Sequence, residues 1–137
     1  MQTILDFHTH AYPEKVAGKA VEFLNHYYHV NCEGDGTIGD LTASAKESGV
    51  SYLLVHSAAT RPDQVENINT FLSQLITPNI FCFGTIHPGY PKIQDEMERL
   101  RSRGLRGLKL HPDFQHFYVD TAEMDEVYEI ASEFHLP

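Results

Sequence analysis

Four short apolar runs recur along the chain, the last three at nearly equal steps, and that recurrence constrains the fold more than any other feature. The runs are TILDF (3–7), YLLVH (52–56), IFCFGTI (80–86) and GLKLH (107–111). Each has strand length and composition. Helical patterns lie between them. Pro13 suits the first turn of a helix running to about Tyr28, with Val16, Ala20, Phe23, Leu24 and Tyr27 on one face. Thr37 and Asp40 form a capping-box pattern before a short helix that stops at Gly49. Val65, Ile68, Leu72 and Leu75 give a stripe closed by Pro78, and Ile93, Met97 and Leu100 give another stopped by Gly104. Asp120 and Glu123 suggest a cap for a last helix carrying Met124, Val127, Tyr128, Ala131 and Phe134.

This order predicts an α/β fold: a parallel four-stranded sheet in sequence order, with right-handed crossovers and helices on its convex side. The later strands start near residues 52, 80 and 107, so the next is expected near 135, where the chain reads His135-Leu136-Pro137. A (β/α)8 barrel takes ~250 residues. Residues 1–137 therefore read as one domain, the first four βα units of a TIM-type barrel, with an extra helix after strand one. Open edge strands and an inner face carrying Phe81 and Phe83 predict a homo-oligomer, in which two copies supply eight strands.

Composition narrows the partners. The 19 acidic and 10 basic residues leave a net charge of −9, which argues against a nucleic-acid binder and leaves a small-molecule substrate. No apolar run approaches the ~20 residues of a membrane span. Met1–Asp6 has no basic stretch of a signal peptide. Two cysteines, Cys32 in a loop and Cys82 within a strand, suit a reducing cytoplasm.

Histidines close every strand: His8 and His10, then His56, His87 and His111. In parallel α/β folds the C-terminal strand edge is where sites are built. Alternation puts Asp6, His8 and His10 on one face of the first strand, and Lys109 with His111 on one face of the fourth. His26 and His29 lack the H-E-x-x-H pattern and read as solvent-facing. His116 and His135 have no assigned role, and EMERLRSR reads as a solvated helix face. Two neutral imidazoles two residues apart can bind one divalent ion, zinc foremost, with Asp6 behind them as orienting carboxylate or ligand. Such an ion activates water for attack on an acyl carbon. A third and fourth ligand are needed.

DFHTHAYPEK, GTIHPGY and GLRGLKLHPDFQHFYVD, taken together and in this order, resemble the amidohydrolase-2 branch of the amidohydrolase superfamily. The resemblance implies a metal-dependent (β/α)8 barrel hydrolase with His8 and His10 as the strand-one metal pair. It puts Lys109 where many members carry a carboxylated lysine or a glutamate bridging two metals. In the decarboxylase-like members that position is no ligand, and an unmodified Lys109 would serve beside His111 as a cation for an anionic substrate. Asp6, Lys109 and His111 are thus the catalytic candidates, and His56 and His87 the substrate-binding ones. The family's later metal histidines and its strand-eight aspartate would lie beyond Pro137. The alternatives are a non-oxidative decarboxylase of the same branch, a PHP-type phosphoesterase, which GLKLHP fits poorly, and an inactive, self-associating half-barrel.

Overall fold

The computed structural model describes residues 2–137. Three parallel strands, β1 (Leu5–Thr9), β2 (Tyr52–Val55) and β3 (Ile80–Cys82), form one sheet in the order β1-β2-β3. The helices are α1 (Glu14–Tyr28), α2 (Ile38–Glu47), α3 (Val65–Gln74), α4 (Ile93–Ser102), α5 (Pro112–Gln115) and α6 (Asp125–Glu133). Single 3-10 turns at Pro62–Gln64 and Ala122–Met124 lead into α3 and α6. The architecture is mixed α/β, as the spacing of apolar runs requires.

The expected fourth strand is reduced to one parallel bridge, Gly84 to Leu108. Residues 106–109 do run beside β3: Arg106 N–H donates to the Cys82 carbonyl, and Lys109 N–H to that of Gly84. Pro112 then starts α5, with His111 as its N-cap, so the extended run turns into helix before it lengthens. Gly107 packs beneath Phe83, whose Cζ lies 2.7 Å from where a Cβ would sit, so only glycine fits there.

Leu53 and Val55 of β2 and Ile80 and Cys82 of β3 point into the core with Leu72 of α3, Met97 and Leu100 of α4, and Val127 and Ile130 of α6. Each large apolar side chain buried there contributes about 1.5–3 kcal/mol. The alternate residues face the other way. Tyr52 stacks on Phe81, Phe7 meets Phe83 edge-on, and Leu5, Phe7 and Phe81 are exposed. Helix α1 departs from expectation, because Val16, Phe23 and Tyr27 of its apolar stripe are exposed and only Ala17 is buried. Its aromatic side chains pack instead on Phe114 of α5, with ring centroids 5.8 Å away for Phe23 and 4.9 Å for Tyr27. The Thr37 hydroxyl accepts the Asp40 N–H at 3.2 Å and caps α2 as expected.

Candidate metal centre

The end of β1 is bulged, and the bulge builds the site. Asp6 lies beside Leu53, and Thr9 beside Val55, so Phe7 and His8 together stand opposite Leu54 alone. Neighbours in a parallel pair point to the same face, so Asp6 and Thr9 take the core-facing side while His8 and His10 take the other. Strict alternation, which put Asp6 on the histidine face, fails here for that reason. Asp6 Oδ1 instead accepts the His8 main-chain N–H at 3.1 Å. Its tie to the site is through backbone, and it stands outside the cluster of possible ligands.

His8, His10 and His56 converge. Their ring centroids are 5.0, 4.6 and 4.7 Å apart pairwise, and each offers a ring nitrogen within 4.8 Å of the other two. Among the described residues this is the one group of three or more His, Cys, Asp or Glu so placed. His8 and His10 are exposed, and His56 is buried.

Local bonding prepares the rings for a ligand. His10 Nδ1 lies 2.9 Å from the His56 carbonyl oxygen. A carbonyl only accepts, so Nδ1 carries the proton and Nε2 keeps a free lone pair. His56 Nδ1 is buried with no hydrogen-bond partner. Burial, then the nearby His10, Lys109 and His8, push the His56 pKa down to about 3, so the ring is neutral. His10 is lowered too, first by desolvation of its ring and then by surrounding cations, with its bond to the His56 carbonyl opposing.

Of the other expected site residues, Lys109 and His111 lie near this triad and His87 stands apart from it. Lys109 is half-buried; burial lowers its pKa, and its charge acts on His10, His56 and His111. His111 has its Nδ1 engaged by the Phe114 N–H at 3.3 Å, which places its proton on Nε2, 3.5 Å from the Tyr28 hydroxyl. Its ring stacks on Phe114 at 4.1 Å between centroids, and burial lowers its pKa. His87 faces a separate hollow lined by Gly89, Gln115, His116 and Tyr118, and its Nδ1 accepts the Gly89 N–H at 3.0 Å. His87 is lowered first by burial and then by His116.

No protein-family model matches the chain, and no curated protein matches it either. The donor set itself is therefore what speaks to chemistry. Three imidazoles, one tautomer fixed by a carbonyl and one buried nitrogen unpartnered, suit a divalent transition ion such as zinc.

Three contributors escaped the sequence reading. Tyr28 reads only as the end of the first helix, and Phe114 lies in HPDFQ, where no periodicity announces a helix. Gln115, four residues after His111, has only its i,i+4 spacing within HPDFQ as a signal.

Proposed function

We propose that this chain is the first half of a TIM-type barrel and the metal-binding part of a hydrolase of the amidohydrolase-2 type, acting on a small-molecule substrate. The convergence of His8, His10 and His56 at the C-terminal ends of β1 and β2 carries this reading. His8 and His10 fill the strand-one metal pair that the sequence resemblance implies. His56, assigned from sequence to substrate binding, is better read as a third ligand, because its ring joins theirs and its Nδ1 has no other partner. A divalent ion such as zinc, when bound, acidifies a water and polarises a substrate oxygen. The chain's own residues hold and orient. The His56 carbonyl fixes the His10 ring, Asp6 braces the bulge through the His8 N–H, and Lys109 with His111 presents positive or hydrogen-bonding groups to a substrate anion.

The test is metal analysis with activity screening of the full reading frame. About one equivalent of zinc or a similar ion per chain is expected, lost in His8→Ala and His10→Ala and weakened at least tenfold in His56→Ala. Unchanged metal content in the double variant H8A/H10A would remove the reading. The decarboxylase alternative gains from one observation: Lys109 has no ion-pair partner among the described residues. Release of carbon dioxide rather than hydrolysis products from acidic substrates separates the two. The exposed Leu5, Phe7 and Phe81 support self-association of the isolated chain, which sedimentation tests.

A further inference from the structure

The short helix α5 carries a side chain that the proposed chemistry leaves unused. Gln115 is 3% exposed, and its amide bonds to main-chain groups of three separate segments. Its Oε1 accepts the His111 N–H at 2.7 Å, while Nε2 donates to the Ala59 carbonyl at 2.9 Å and to the Ile86 carbonyl at 2.7 Å. Both amide hydrogens and an oxygen lone pair are thus engaged. The partners are telling. Ala59 follows His56 closely in the same segment, Ile86 directly precedes His87, and the third partner is His111 itself. The Ala59 N–H is held from its other side by the Thr85 hydroxyl at 3.1 Å, so that segment is gripped at both main-chain groups.

We propose that Gln115 is a positioning residue of the metal centre, a clasp that sets where the His56 and His111 segments stand relative to β1. The inference rests on the metal-site reading of the histidine triad. Its physical basis is leverage. His10 is bonded to the His56 carbonyl, so displacing the segment that Gln115 holds moves the setting of two of the three imidazoles. Few side chains can replace it. Methionine has similar length but leaves two carbonyls and one N–H buried without partners. Glutamate keeps the acceptor for His111, but its carboxylate would face two carbonyl oxygens.

A staple serving stability alone predicts something different, so the experiment separates the two. Full-length chain carrying Gln115→Met or Gln115→Glu is compared with wild type and with Leu72→Ala, a core variant away from the site that matches them in lost stability. Two quantities are measured on folded protein: cobalt(II) affinity with its visible absorption, and hydrogen exchange at the His111 amide. Both Gln115 variants are expected to bind cobalt at least tenfold more weakly with an altered spectrum. The His111 amide should exchange at least tenfold faster in them, and Leu72→Ala should keep wild-type affinity and spectrum. If Gln115→Met does not fold, Gln115→Glu alone carries the comparison. Should neither fold, the same cobalt titration of Thr85→Val, which frees the Ala59 N–H from the other side, takes their place with the same expectation. Wild-type cobalt binding in the Gln115 variants, or an equal loss in Leu72→Ala, overturns the positioning role alone. Absence of cobalt binding by wild type, with its His111 amide still protected, overturns the metal reading and the positioning role with it.

Discussion

Two groups of polar side chains flank the C-terminal end of the sheet, and they differ in what their hydrogen-bonding atoms do. Behind β3 the capacity is committed. Asn69 accepts the Thr85 N–H at 2.8 Å and donates to the Thr85 carbonyl and to Glu96, at 2.9 and 2.7 Å. Glu96, 2% exposed, also receives two Arg99 N–H bonds at 2.6 and 2.7 Å. Thr85 passes the network to Ala59, and Gln115 carries it on to His111. In front, His8, His10 and His56 crowd together with lone pairs uncommitted. A closed polar network fixes a structure, whereas imidazoles gathered with unused nitrogens keep donor capacity that the fold itself does not use.

The largest expected effect breaks the closed side. Asn69→Ala leaves the Thr85 N–H and carbonyl and part of Glu96 buried without partners, each at about 1–3 kcal/mol. A total loss of about 3 kcal/mol or more is expected in urea denaturation. A loss under about 1 kcal/mol would show that the network contributes little and blur the contrast drawn here.

The open side answers to pH. His56 has a pKa near 3 when folded and about 6.5 when unfolded, so the unfolded chain takes up a proton that the native one refuses. Stability is then full above about pH 6.5 and falls as pH drops towards 3, by at most about 1.4 kcal/mol per unit from this group. His10, His87 and His111 are lowered in the same direction, first by burial, and steepen the same limb. Chelator-treated protein, followed by denaturation at each pH, should show this slope, and His56→Leu should flatten part of it. An unchanged slope in that variant would mean that His56 titrates normally.

What the sequence made legible follows from where local signals decide the outcome. Pro78, Gly104 and the 3.6-residue stripes placed α3, α4 and α6 because those helices bury the stripes they display. The stripe of α1 misled, since Phe23 and Tyr27 pack on α5, a four-residue helix that no periodicity announces. His8 and His10 were visible as a pair, but alternation could not foresee the bulge that turns Asp6 away. The part of His56 was hidden because it depends on the register of β2 against β1, and Gln115 because its partners lie 29 and 56 residues off along the chain.

At neutral pH, His56→Leu should change stability by less than about 1 kcal/mol in either direction, or raise it slightly. The variant removes a buried nitrogen that has no partner and fills the space with apolar atoms, and such exchanges are near neutral. The contrast with Asn69→Ala is the sharpest test of the comparison: both residues are polar and buried, yet only one should matter to folding. Metal affinity should reverse the ranking, falling in His56→Leu.

The smallest effect is expected at the aromatic edge of the site. The Tyr28 hydroxyl is 3.5 Å from His111 Nε2, at the outer limit of a hydrogen bond, and Tyr28 is exposed. Tyr28→Phe keeps the ring that meets Phe114 at 6.0 Å and removes only that oxygen. Stability and metal affinity should both stay within about 0.5 kcal/mol of wild type, as for most exposed substitutions. His111 keeps its Nδ1 bond to the Phe114 N–H and its stack on the Phe114 ring, so its orientation has two supports that Tyr28 does not provide. A loss of more than tenfold in metal affinity in Tyr28→Phe would place the hydroxyl inside the working site. The open side of the comparison would then extend beyond the three imidazoles to α1.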